Sequence, residues 1–127
     1  MTDTDEELRQ QCRDMADTLN ALASGQYYDT ETGEFVDIIP DDEEDRYQSL
    51  EEYVLDDNLG IKIIIDIDGN CFYGAEICVA WGGPNIYINT RTSYVEGYWG
   101  CTEVKEPFSY TASDEINNYI EELRGCY

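Results

Sequence analysis

The residues with the plainest chemical potential are carboxylates. Asp66-x-Asp68-Gly69-Asn70 sets two acids before a glycine, the kind of loop that can wrap Ca2+ or Mg2+ with oxygen ligands. An EF-hand loop also needs a further acid or amide ahead of its glycine and a bidentate Glu at its end. Here Cys71-Phe72-Tyr73 follows at once as strand. A hairpin turn accounts for Asp68-Gly69 fully, so no metal and no other cofactor is expected. Glu51 and Glu52 are a general acid–base pair in type, but that chemistry needs burial or partners that move a pKa, and both fall on the surface of an acidic helix. The chain has no histidine, which removes histidine-based triads, histidine general bases and histidine-ligated zinc. Gly82-Gly83-Pro84-Asn85 lacks the spacing and following helix of a phosphate loop. No residue is assigned a catalytic role, and the protein is expected not to be an enzyme.

The five cysteines, Cys12, Cys71, Cys78, Cys101 and Cys126, are odd in number, sit at apolar positions and form no C-x-x-C pair. They read as reduced core thiols, not as a secreted disulfide framework, with Cys126 near the chain end the most reactive. No basic segment leading into an apolar run opens the chain, and no stretch reaches the roughly 18 apolar residues of a membrane span. A soluble, intracellular protein is expected.

Charge sets the functional class. The 127 residues carry 29 Asp and Glu against 7 Lys and Arg, a formal charge of -22. Such a surface repels phosphate backbones, because nucleic-acid binding relies on Lys and Arg displacing counterions. Direct DNA or RNA binding is excluded and a basic protein partner is favoured. Small domains are commonly comfortable with a net charge of about 2 to 8, so solubility alone is a weak explanation for a charge that costs stability through self-repulsion. Residues 1–57 hold 19 acids and 3 bases, whereas 58–127 hold 10 and 4. Duplex DNA carries one charge per about 1.7 Å of axis, and carboxylates at i, i+3 and i+4 on a helix lie about 5–6 Å apart at Cβ. A helix face with an acidic loop can therefore imitate a row of phosphates. The candidate residues are Asp14 and Asp17, with Asp3, Glu6 and Glu7, on a first helix; the run Asp41, Asp42, Glu43, Glu44 and Asp45; and Glu51, Glu52, Asp56 and Asp57 on a second helix.

The elements that must position these groups follow from periodicity. Thr4 and Glu7 have capping-box spacing, and Leu8, Cys12, Met15, Leu19 and Leu22 make one apolar stripe that Gly25 is placed to end. Residues 26–48 read as a loop with one short edge strand around Phe35 and Val36, followed by the exposed acidic run. Ser49 and Glu52 predict a short second helix ending near Asn58 to Gly60, where Asp56 and Asp57 oppose the helix dipole. From Ile61 the period becomes 2, with Ile61, Ile63, Ile65 and Ile67 on one side. Strands follow over 72–81, 85–89 and 94–99, the first with Tyr73, Ala75, Ile77, Val79 and Trp81 on one face. Links this short require an antiparallel meander. Ser113 is placed to cap a last helix with the stripe Ile116, Tyr119, Ile120 and Leu123. The expected fold is a single α+β domain, 1–127: a four-stranded antiparallel sheet flanked by N-terminal and C-terminal helices, with the acidic loop and short helix inserted before the sheet.

Eleven tyrosines and two tryptophans exceed what such a core requires, and tyrosine suits interfaces. Tyr87, Tyr94, Glu96 and Tyr98 share one sheet face, either beneath a helix or exposed as a recognition surface. Trp81 and Trp99 fall on the isoleucine face and read as core. Small size, extreme acidity, absence of histidine and the stretch from Trp81-Gly82-Gly83-Pro84-Asn85 to Tyr98-Trp99 resemble small acidic phage and mobile-element inhibitors of host defence, the DNA-mimicking anti-restriction and anti-CRISPR proteins. The resemblance implies a non-catalytic inhibitor in the cytoplasm of a bacterial host, occupying the basic DNA- or RNA-binding channel of a nuclease or defence effector, with carboxylates steering and tyrosines supplying contact area. The alternative is an acidic adaptor or immunity-type partner of another basic protein. Neither reading involves a membrane.

Overall fold

The computed structural model describes residues 3–39, 46–55, 58–66, 68 and 71–125. Helix α1 spans Asp3–Ala23. Its buried side is Leu8, Cys12, Ala16, Leu19 and Leu22, the expected stripe with Ala16 more deeply buried than Met15, which lies only partly buried beside the core. The Thr4 cap lies outside the described side chains. At the other end the Gln26 amide donates to Ala21 O and the Gly25 amide to Leu22 O, with Gly25 at φ 98°, a Schellman close.

Three short strands, β1 (Tyr27–Asp29), β2 (Phe35–Val36) and β3 (Tyr47–Gln48), form a sheet of order β2-β1-β3, where one edge strand was expected. Helix α2 covers Leu50–Leu55. Ser49 caps it, accepting from the Glu52 amide. The expected boundary near Asn58 to Gly60 follows Asp56 and Asp57, which lie outside the described residues; Asn58 Nδ2 donates to Leu55 O at 2.5 Å.

The main sheet has five strands rather than four: β4 (Gly60–Ile65), β5 (Phe72–Ala80), β6 (Asn85–Asn89), β7 (Tyr94–Trp99) and β8 (Thr102–Pro107), paired antiparallel in sequence order. The meander is as expected; β8 is the addition. Asp66 lies where β4 turns into β5, accepting from the Cys71 amide at 2.9 Å; Ile67, Gly69 and Asn70 lie outside the described residues. A register shift between Cys78 and Ala80 breaks the alternation of β5, so Trp81 is 70% exposed instead of core. Tyr73 is exposed too, and Trp99, at the end of β7, is 42% exposed. Both tryptophans are corrected from core to surface. Edge strand β4 leaves Ile63 and Ile65 exposed.

Helix α3 runs Tyr110–Gly125, starting earlier than expected. Its cap is Ser109, whose hydroxyl accepts from the Ala112 amide, while the Ser109 amide donates to Asn20 Oδ1 of α1 at 2.7 Å. Ser113 instead sits buried inside the helix, 2.7 Å from the Ser93 hydroxyl. Ile116 and Ile120 are buried, but Leu123 is exposed.

One core draws on both halves of the chain: Leu8, Cys12 and Leu19 of α1, Leu50 and Val54 of α2, Ile77, Ile88 and Val95 of the sheet, and Ile116 and Ile120 of α3. Each fully buried aliphatic side chain contributes roughly 1.5–3 kcal/mol. Gly97 fixes where α1 lies, since a Cβ there would sit 2.7 Å from Cys12 Sγ and 2.8 Å from Leu8 Cδ1. The helix therefore rests on the β7 face that carries Val95 and Gly97. Among the described residues no helix is long and apolar enough to cross a membrane.

Candidate partner-binding surface

Because Leu8, Cys12, Ala16 and Leu19 face the sheet, the 3.6-residue period turns Glu6, Glu7, Asp14 and Asp17 outward, and all four are exposed. Asp14 accepts from Gln10 Nε2 at 2.8 Å. Glu51 and Glu52 are likewise exposed on α2. The cations go elsewhere. Arg9 and Arg13 both reach Glu106 of β8, at 3.7 and 3.5 Å; Lys62 lies 4.0 Å from Glu76; Lys105 lies 3.6 Å from Glu96 and 3.4 Å from Glu103. Among the described residues, no ion pair meets Glu6, Glu7, Asp14, Asp17, Glu51 or Glu52.

The acidic run Asp41, Asp42, Glu43, Glu44 and Asp45 lies outside the described residues, as do Asp56 and Asp57. The anchor next to the run is well defined. Arg46 donates to both oxygens of buried Asp29, Nε at 2.8 Å and Nη2 at 2.6 Å, a bidentate pair that fixes orientation as well as charge. Asp29 also accepts from the Glu31 and Thr32 amides, which closes the turn before β2. The Arg46 guanidinium, helped by those amides, holds the Asp29 carboxyl well below the usual carboxylate range. Sequence reading missed this pair. Its signal is a lone Arg ending a run of five acids, with a single Asp ahead of the Thr30–Gly33 turn.

Tyr87, Tyr94, Glu96 and Tyr98 do share one face, through the pairs Tyr87–Glu96, Asn89–Tyr94 and Asn85–Tyr98. It is the face opposite Gly97 and α1, and no helix among the described residues lies over it. Tyr87 and Tyr98 meet edge to face, ring centroids 6.1 Å apart. Glu96 is buried, accepting from Asn89 Nδ2 at 3.1 Å beside the Lys105 ammonium. Burial raises the Tyr98 phenol, and the carboxylates of Glu96 and Glu103 reinforce it. With Lys62 and Lys105 set among Glu76, Glu96 and Glu103, this face is charge-mixed. The acidic outside of α1 and the tyrosine face therefore point to opposite sides of the sheet, and they approach each other only at its end, where Tyr98 and Trp99 share one hollow and Trp99 and Glu7 the next.

The exposed thiols are also not where a core reading puts them. Cys12 alone is fully buried; Cys78 is half-buried, Cys71 and Cys101 are exposed, and all four are free. Cys126 lies outside the described residues. Among the described residues no group of three or more Cys, Asp and Glu is placed to hold a metal ion. No family model matches the chain, and comparison with curated proteins and with solved structures finds no match.

Proposed function

We propose that the protein is a non-catalytic acidic inhibitor that presents carboxylates in place of phosphates to the basic nucleic-acid channel of a nuclease or defence effector, a guided CRISPR nuclease foremost. The observation that carries this reading is the outer side of α1. Glu6, Glu7, Asp14 and Asp17 are exposed there while Arg9 and Arg13 of the same helix are turned to Glu106. A protein that needed acid only for solubility gains nothing from directing its few cations away from the densest carboxylates. A cationic channel gains both steering and a charge-matched surface. In sequence the run 41–45 adds five further carboxylates directly before Arg46 of the Asp29–Arg46 clamp.

The test is competition. The protein is incubated with a panel of guided and unguided nucleases while duplex DNA is titrated in. Displacement by DNA, with affinity falling steeply between low and physiological salt, is the expected outcome, since exposed charges are screened over about 8–10 Å near physiological ionic strength. Binding that DNA does not relieve and salt does not weaken would support the alternative, an acidic adaptor for a basic protein. The open face around Tyr87 and Tyr98 favours that second reading, and loss of such binding in Tyr87→Ala or Tyr98→Ala would identify it.

A further inference from the structure

We infer that the end of the sheet where Trp81 and Trp99 emerge is a receptor for an arginine side chain of the partner. The inference rests on the proposed reading only in taking that partner to be basic. Trp81, Tyr98 and Trp99 line an open hollow of about 380 Å³, completed by Gly82, Gly83 and Asn85. Trp81 is largely exposed and Trp99 partly so, and large exposed aromatics grouped at one place mark interaction sites.

The hollow is built. Asn85 Oδ1 accepts from the Gly82 amide at 2.9 Å, fixing the turn between β5 and β6. A Cβ on Gly83 would come within 2.9 Å of Trp99 Cζ3, so only glycine lets the backbone lie against the indole and hold the ring while part of it stays open. A second depression shares Gly83 and Trp99 and adds Pro84 with Glu7, Leu8 and Gln11 of α1. Trp99 thus stands between the aromatic hollow and an exposed carboxylate of the acidic helix side.

That combination selects the occupant. A phosphate or a nucleotide is repelled by Glu7 and by the net charge of -22. An apolar group gains nothing from the carboxylate. An indole face attracts a cation placed within about 6 Å of the ring centroid, and a guanidinium stacks on aromatic planes while its donor fork serves a carboxylate, which an ammonium does poorly. In a nucleic-acid channel, arginines stack on bases and bind phosphates. Trp99, with Trp81 on one side and Glu7 on the other, presents both kinds of partner at one place.

The chain has only two tryptophans, so its two indole N–H signals report on this hollow and the depression beside it. A short arginine-rich peptide and its citrulline counterpart, equal in shape but uncharged in the side chain, are titrated into the protein while those signals are followed. The arginine peptide is expected to shift both; the citrulline peptide is expected to leave them in place. Trp81→Leu, at a largely exposed position, and Trp99→Leu should each weaken arginine-peptide binding by about fivefold, Glu7→Gln by less, and Tyr110→Leu, at an exposed position at the start of α3, should change nothing. Binding of the arginine peptide without movement of the indole signals, equal response to both peptides, or no binding at all would overturn the inference. The two proposals fail separately. DNA-relieved inhibition with silent indoles removes the arginine receptor and keeps mimicry, whereas responsive indoles with DNA-insensitive inhibition remove mimicry and keep the receptor.

Discussion

The two faces of the five-stranded sheet are made from alternate residues of the same strands, yet they carry different kinds of work. On one, Ile77, Ile88, Val95 and Gly97 lie on the α1 side and are closed off from water, with Ile63 and Trp99 exposed at its margins. On the other, Tyr87 and Tyr98 pack edge to face, while Lys62 and Lys105 offset Glu76, Glu96 and Glu103. Uncompensated charge belongs to neither. Among the described residues it sits mostly on the helices: the far side of α1, the outer side of α2 and exposed Asp114 of α3. Cations are held within reach of sheet carboxylates, and the helix acids are left bare. Charge in this protein is segregated by element as well as in excess, which a net figure alone does not reveal.

The largest expected effect separates neighbours. Ile88 is fully buried and Tyr87, one residue before it, points to the open face. Ile88→Ala should cost about 2–5 kcal/mol by chemical denaturation, transfer and cavity terms together, against about 1 kcal/mol for Tyr87→Ala, which loses an aromatic pair. Equal losses would mean that something covers the tyrosine face. Gly97→Val should cost about 1–3 kcal/mol by overpacking Leu8 and Cys12. If it cost nothing, α1 would not rest where this fold puts it.

A smaller effect of opposite sign sharpens the contrast among acids. Asp14 and Asp17 are exposed and unpaired by the cations of α1, whereas Glu106 meets both Arg9 and Arg13. Asp14→Asn with Asp17→Asn should leave stability unchanged or raised by about 0.5 kcal/mol, within the usual range for surface positions, and should slow association with the partner, since steering acts on the on-rate. Glu106→Ala should lower stability by about 0.5–1 kcal/mol, because the carboxylate is largely buried while both guanidiniums, themselves exposed, lose their partner. Destabilisation by the Asp14 and Asp17 changes would give those acids a structural role and weaken the mimicry reading.

How much of this was legible depended on how local each cause was. The α1 stripe, its glycine end, the Ser49 cap and strands β5 to β7 follow from period and turn chemistry within a few residues. Strand β8 escaped because Val104 is its only fully buried apolar residue, amid the charges and terminal proline that edge strands carry. The small sheet escaped because Arg46 and Asp29 meet across 17 positions. Trp81 was misassigned by one event, the register shift at Cys78/Ala80, which no alternation rule anticipates. Ser109 displaced Ser113 as cap through Asn20, a contact from a distant helix. For the site, outward acids on α1 were readable from helix geometry. Their separation from the tyrosines was not, because the face α1 covers is set by its tertiary fit against Gly97.

The smallest effect expected concerns one atom on the covered face. Cys12 Sγ is fully buried against Gly97, and burial, with Glu106 adding to it, pushes the thiol up to about 11 from an ordinary 9.0. Cys71 and Cys101 are exposed. A thiol reagent at neutral pH should therefore modify Cys71 and Cys101 in the native protein and reach Cys12 only on unfolding. The same burial has a thermodynamic signature. Between pH 9 and about 11 the unfolded chain gives up the Cys12 proton while the folded chain keeps it, so the contribution of this group is whole below that window and is lost as pH rises through it. Partly buried tyrosines such as Tyr53, also raised, slope the same way, so the measurement is a difference: denaturation midpoints across this range should fall less steeply in Cys12→Ala than in the parent. Absolute stability drops in that variant from the lost packing at every pH, and only the change in slope bears on the argument. Parallel slopes would show that Cys12 ionises as freely in the folded protein as in the unfolded chain, and α1 would then not seal the covered face at Gly97.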